Sequence, residues 1–170
     1  MSRERKTLDV VRVKLVLDKR LYSEVPLKNP GDVYEVMKQE LAEYDREAFC
    51  ILNMQADGRC ASMNLVSIGG LTSALAEPRE VFKSAILSNA HHIILVHNHP
   101  SGRVEPSMED VQLTRRMVSC GELLGIPVYD HVIIGRKEDA CYSFLEHGIL
   151  NEKELEPVKE QAAEKVKKTR

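Results

Sequence analysis

The sequence predicts one α/β (or α+β) domain built round a single central sheet, and three observations carry that prediction. Helix-like and strand-like stretches alternate from about Asn29 to Leu150. Ile93-Ile94-Leu95-Val96 is a short, wholly apolar run, the mark of a strand covered on both faces. The chain has 170 residues, 43% hydrophobic and 29% charged, enough to bury one core without disulfides or a structural metal.

The elements follow in order. In residues 1–28, Val11-Arg12-Val13-Lys14-Leu15-Val16-Leu17 alternates with a period of two and predicts a half-exposed strand. From Arg3 to Arg20, seven basic residues stand against three acidic ones. Either a solvated edge strand guarded by Lys and Arg, or contact with an acidic partner, accounts for that excess. Residues 29–150 form the domain proper. Pro30-Gly31-Asp32 precedes Val33, Val36, Met37 and Leu41, which predicts an amphipathic helix with Asp32 as its cap. Glu47 to Asn53 and Ala61 to Ile68 read as a strand pair about Asp57-Gly58, a tight turn that would set Cys60 opposite Gln55. Pro78 suits a first helical turn, and Val81, Phe82, Ala85 and Ile86 give that helix one apolar face. After the buried strand, Ser107 opens another helix, with Leu113, Met117, Cys120 and Leu124 at helical spacing and Gly125 to stop it. Val128 to Ile134 is a further strand. In residues 151–170, eleven of twenty side chains are charged, so that stretch reads as a solvated helix or frayed tail.

Composition narrows the function classes. A formal net charge of -2 argues against a surface built mainly to neutralise phosphates. Three Phe, five Tyr and no Trp make a base-stacking platform for single strands a poor fit. No apolar run approaches the roughly 20 residues that span a bilayer, and the charged N-terminus leads into no signal-peptide core. The expectation is a cytoplasmic protein with no membrane partner. Cys50, Cys60, Cys120 and Cys141 show no metal-site spacing and read as reduced, mostly buried thiols.

The segment His97-Asn98-His99-Pro100-Ser101-Gly102-Arg103-Val104-Glu105-Pro106-Ser107-Met108-Glu109-Asp110 directly follows the buried strand and ends in a helix. Side chains two apart in an extended chain point the same way, so His97 and His99 converge. Pro100-Ser101-Gly102 is turn chemistry that folds the chain back, and Asp110 then enters the same neighbourhood. Two neutral imidazoles and a carboxylate suit Zn²⁺ and leave a fourth position open. Ser107-x-x-Asp110 also reads as an N-terminal capping box, and both readings can hold together. A zinc hydrolase further needs a proton acceptor near the metal. Glu47 is the best candidate, a charge at the head of the apolar strand Ala48-Phe49-Cys50-Ile51-Leu52, although the polar edge of a strand beside Arg46 explains it as well. Asp130-His131 either orients a ligand imidazole or binds substrate, or forms a buried structural hydrogen bond. His91-His92 lies at the opposite end of the strand, too far away to join a metal. Ser101 and Arg103 are candidates for a substrate groove. A zinc deaminase would carry H-x-E and P-C-x-x-C, and neither is present.

The spacing His97-x-His99-x(7)-Ser107-x-x-Asp110, with Glu47 upstream, resembles the JAMM motif of MPN/JAB-domain metalloproteases. His97-Asn98-His99-Pro100-Ser101-Gly102, then Pro106-Ser107, Asp110 and Asp130-His131-Val132-Ile133-Ile134-Gly135, is similar to the RadC branch, as is Pro78-Arg79-Glu80-Val81-Phe82. The resemblance implies a single MPN/JAB-like domain, a central mixed sheet flanked by helices, layered as in cytidine deaminases. It implies one zinc per chain on His97, His99 and Asp110, Glu47 as general acid/base, and Ser107 helping to hold an oxyanion. The implied reaction is hydrolysis of a peptide or isopeptide bond in a protein or peptide substrate. Longer RadC proteins resemble a fusion to an N-terminal helix-hairpin-helix region, and the residues before Asn29 are too few to hold one. The family's DNA-repair label and a nucleic-acid partner therefore rest only on the basic excess near the N-terminus. A silent scaffold of the same fold remains a third reading, against which the full ligand set argues.

Overall fold

Seven consecutive buried residues, Ala48–Met54, form strand β1, and they are buried because a strand pairs with each edge and helices cover both faces. The computed structural model describes residues 11–21, 26–42, 44–69, 76–136 and 140–150. In chain order the other elements are α1 (Pro30–Ala42), β2 (Cys60–Ile68), α2 (Pro78–Leu87), β3 (His92–Asn98), α3 (Met108–Leu124), β4 (Val128–Ile134) and β5 (Cys141–Ser143). Among the described residues, five strands pair in the order β2-β1-β3-β4-β5. β1 is antiparallel to both its neighbours, β3 and β4 are parallel across the helical connection α3, and β5 returns antiparallel. This is the single central sheet that the sequence pattern predicts, mixed and flanked by helices as the family resemblance implies.

Alternation along the strands divides the core in two. Phe49, Ile51, Ile93 and Leu95 face α2 and α3, where Val81, Phe82, Ala85 and Met117 complete one apolar layer. Ala48, Cys50, Leu52, Ile94, Val96, Val132 and Ile134 face α1, against Val33, Tyr34, Met37 and Leu41. Burial of each such aliphatic side chain stabilises the fold by roughly 1.5–3 kcal/mol, so both layers are needed to hold β3 fixed. All four cysteines are free. Cys50 is buried, the other three only half-buried, and burial pushes the Cys50 thiol up to about 12 and that of Cys60 to about 11.

Several local expectations are corrected. Residues 11–21 form no strand and are exposed throughout, Val11 to 82%. They find no paired neighbour, and Lys19 reaches instead to the buried Glu40 carboxylate of α1 at 2.7 Å. The cap of α1 is Asn29, whose Oδ1 accepts from Asp32 N, while the Asp32 carboxylate accepts from Lys28 N and Asn29 N as the reciprocal partner. Cys60 lies opposite Met54, not Gln55, because Gln55 N bonds Arg59 O within the turn and a register shift follows Asn53. β5 adds a strand that the sequence pattern does not announce. Leu27, placed before the expected domain boundary, packs beneath α1 as part of the core. The tail at 151–170 lies outside the described residues. No helix among the described residues is long and apolar enough to cross a membrane.

Candidate metal centre

His97 is the last residue of β3 on the α3-facing side, and it is fully buried. Its ring stacks on Phe49 with centroids 6.2 Å apart. His99 follows just past the strand, where the chain turns back through Gly102 N to His99 O at 2.9 Å. Gly102 has φ 76°, a left-handed conformation that a side chain would strain. His99 Nδ1 lies 3.0 Å from Arg103 O. A carbonyl only accepts, so Nδ1 carries a proton, and it is Nε2 of the neutral ring that presents the bare lone pair.

Asp110 is brought in by the start of α3. Ser107 caps that helix: its Oγ accepts from Asp110 N at 3.1 Å, and its N–H donates to Asp110 Oδ2 at 2.7 Å. The Ser107 hydroxyl also donates to Oδ2 at 2.7 Å. Capping and site-building are thus one arrangement, since the box that starts the helix also fixes the carboxylate. Oδ2 is held and Oδ1 is left over, buried and with no hydrogen-bond partner.

The three side chains converge. His97 Nε2 and His99 Nε2 are 3.0 Å apart, with Asp110 Oδ1 3.3 Å from the first and Oδ2 3.4 Å from the second. A tetrahedral zinc with bonds of about 2.0–2.1 Å sets neighbouring ligand atoms roughly 3.3 Å apart. Among the described residues, His97, His99 and Asp110 form the group able to hold a metal ion, their ligand atoms all within 4.8 Å of one another. The donor set and the orphaned Oδ1 both fit a divalent cation.

Electrostatics support that reading. Burial pushes the His97 imidazole below its usual range, favouring the neutral ring a metal requires. Hydrogen bonding to Asp110 holds the His99 imidazole above its usual value, ahead of the opposing effect of burial. Burial opposes the charged Asp110, but the adjacent imidazoles of His97 and His99, together with the hydrogen bonds from Ser107, outweigh it and hold the carboxyl far below the usual carboxylate range.

Glu47 sits immediately before β1 and lines the same cleft as His99, Ser107 and Asp110. Its charge acts on both histidines, favouring their protonated forms. The backbone on each side of it is clamped by one buried side chain, Asn98. Asn98 Oδ1 accepts from Ala48 N at 2.7 Å, and its Nδ2 donates to Arg46 O at 3.2 Å. Gly69 N donates to the Glu47 carbonyl at 2.7 Å. The cleft has a volume of about 1330 Å³, and Ser101, Arg103, Glu105, Gln112 and Arg116 also line it.

Adjacent in an alternating strand, Asp130 and His131 separate. His131 turns to the site, its Nε2 2.8 Å from His97 Nδ1 and its Nδ1 2.6 Å from Thr114 Oγ1. Asp130 is structural: its carboxylate accepts from Ser143 Oγ, Leu145 N and His131 N. His91 and His92 contact each other, and His92 also meets Tyr129, at the far end of β3, apart from the cluster. The sequence pattern misses two residues. Asn98 was findable as a polar side chain between two ligands that alternation turns to the opposite face, whereas nothing local marks Thr114.

Comparison with known proteins gives one consistent answer. The model of a family described as the RadC-like JAB domain matches residues 27–149. A UPF0758 protein of Syntrophomonas wolfei is 47% identical over 113 residues, covering 64% of this chain and 48% of that one. Another from Desulfitobacterium hafniense strain DCB-2 is 40% identical over 145 residues, covering 82% and 63%. A third from Clostridioides difficile strain 630 is 41% identical over 144 residues, covering 82% and 60%. The chain thus spans about half to three-fifths of the length of these relatives.

Proposed function

The chain belongs to the RadC-like JAB-domain family, and we propose that it is a zinc-dependent hydrolase of peptide or isopeptide bonds. The observation that carries this reading is the convergence of His97 Nε2, His99 Nε2 and the orphaned Asp110 Oδ1 beside a cleft that Glu47 also lines. Three protein ligands with an open position are the hallmark of a catalytic rather than a structural zinc site.

His97, His99 and Asp110 would hold the ion. When bound, zinc supplies a Lewis acid that polarises a carbonyl and acidifies water to a pKa of about 7. Glu47 takes the proton from the attacking water and delivers it to the departing nitrogen. Its backbone is fixed on both sides by Asn98, which spares the reaction the cost of ordering the base. Ser107 is the O–H donor for the developing oxyanion. Its hydroxyl now points to Asp110 Oδ2, and its N–H keeps Oδ2 held when the hydroxyl turns away. A cleft of about 1330 Å³ exceeds what a small metabolite fills and favours an extended polypeptide.

Metal analysis tests the reading directly. Protein purified without added zinc should carry about one equivalent, lost in His97→Ala and Asp110→Ala. Full zinc occupancy in both variants rules out this ligand set. Glu47→Gln should keep the metal, and cells carrying it should accumulate proteins that the unaltered chain cleaves. Proteomes that do not differ between the two would count against hydrolysis.

A further inference from the structure

We propose that Thr114 and His131 are positioning residues that hold the proton of His97 on Nδ1 and so keep Nε2 bare for the metal. This rests on the metal-site reading above but is argued from a separate set of contacts. Thr114 Oγ1 lies 2.6 Å from Asp110 O and 2.6 Å from His131 Nδ1. A hydroxyl has one proton, and a backbone carbonyl only accepts, so the Thr114 proton goes to Asp110 O. The second contact then needs a proton from the other side, which places it on His131 Nδ1.

The consequence passes along the chain. A neutral imidazole protonated at Nδ1 has a lone pair at Nε2. His131 Nε2 therefore accepts, and the group 2.8 Å away, His97 Nδ1, must donate. That leaves His97 Nε2 unprotonated, facing the Nε2 of His99. A doubly protonated His131 would reverse the last bond, but its ring stacks on Phe144 at 4.6 Å and meets Phe49 edge-on at 5.8 Å. A cation in that fully buried apolar sandwich is strongly disfavoured.

The relay begins and ends on metal ligands. It starts at the backbone carbonyl of Asp110, crosses from α3 to β4 through Thr114, and returns through His131 to β3. One hydroxyl four residues after Asp110 thus sets the polarity of a ligand on a different element. Outer partners of ligating histidines typically change metal affinity roughly 10–100-fold when removed.

The test reads proton positions as well as metal. Imidazole nitrogen shifts of the metal-free full chain, recorded near neutral pH, should show His97 and His131 both protonated at Nδ1. In Thr114→Val the acceptor for His131 Nδ1–H is gone, so both rings should switch to Nε2–H, and zinc affinity measured by chelator competition should fall by roughly tenfold or more. Thr114→Ser should restore both readings. A His97 protonated at Nε2 in the unaltered chain overturns the proposal, as does a valine variant with unchanged shifts and unchanged zinc affinity. Should Thr114→Val fail to fold, the shifts of the unaltered chain and of Thr114→Ser still decide. If the unaltered chain takes up no zinc, the functional reading falls, and the nitrogen shifts alone uphold or overturn the relay.

Discussion

His99 is the ligand most open to competition from protons. Hydrogen bonding to Asp110 raises its affinity for a proton, whereas burial lowers that of His97. Zinc binds the bare imidazole, so each proton held must leave before the metal enters. For a group whose pKa is raised, competition sets in above the ordinary value near 6.5 and grows as pH falls. His97, with its pKa depressed, adds to the competition only further into the acid range. Zinc affinity is therefore expected to fall as the pH drops from above the ordinary histidine value, with a slope near one proton per ion, and to fall more steeply only further into the acid range, where His97 also takes a proton. Calorimetric titrations across that range measure the slope. An affinity flat in pH would remove His99 from the ligand set.

Helix α3 shows what a sequence states plainly and what it leaves to tertiary structure. Its cap at Ser107 and its stop at Gly125 are local chemistry, and the helix runs between those markers, whereas of the expected apolar stripe Leu113, Met117 and Cys120 pack on the core and Leu124 is exposed. The capping box is legible in the same way, and with it the placement of Asp110. The pairing of elements is not local. Residues 11–17 alternate like a strand, yet a strand needs a partner edge and they find none among the described residues. β5 is three residues long and owes its existence to β4 rather than to any period of its own. The role of His131 depends on the parallel register of β3 and β4, which sets Ile133 opposite His97 and His131 two positions before it. Gly121 makes the same point in packing terms. A Cβ there would lie 2.6 Å from Ile126 O and 3.3 Å from Val128 N, both backbone atoms that cannot swing aside. Gly121→Ala gains about 1 kcal/mol of helix propensity. Overpacking costs about 1–3 kcal/mol, and here the obstacle is main chain, so the net effect is destabilising. The denaturation midpoint should drop while zinc stoichiometry stays at one. A midpoint equal to or above that of the unaltered chain would show that the turn from α3 to β4 gives way cheaply.

At the scale of the whole molecule, the proposed ion would tie together directly two elements that otherwise meet through packing and through the hydrogen bonds of Thr114, His131 and His97. Two ligands come from the end of β3, in the middle of the sheet, and the third from the first turn of α3 on its surface. Without a cation, this centre sets two imidazole nitrogens and a carboxylate oxygen with no hydrogen-bond partner against one another. An unsatisfied buried polar group costs about 1–3 kcal/mol, so the metal-free fold carries a local penalty that the ion would remove. A ligand that binds only the folded state stabilises it by about 2.7 kcal/mol at a hundredfold excess over its dissociation constant. For a chain of this size, each kcal/mol moves the thermal midpoint by roughly 2–4 °C. Zinc should then raise the midpoint of the metal-free chain by about 5–10 °C under those conditions. The same addition should do little for His97→Ala or Asp110→Ala, since each removes a ligand. Glu47→Gln should show the full shift, because its carboxylate is assigned to proton transfer and not to holding the ion. Scanning calorimetry of the four proteins with and without zinc separates these roles. Equal shifts in all four would place the metal elsewhere on the molecule, and loss of the shift in Glu47→Gln would make Glu47 a ligand rather than the base.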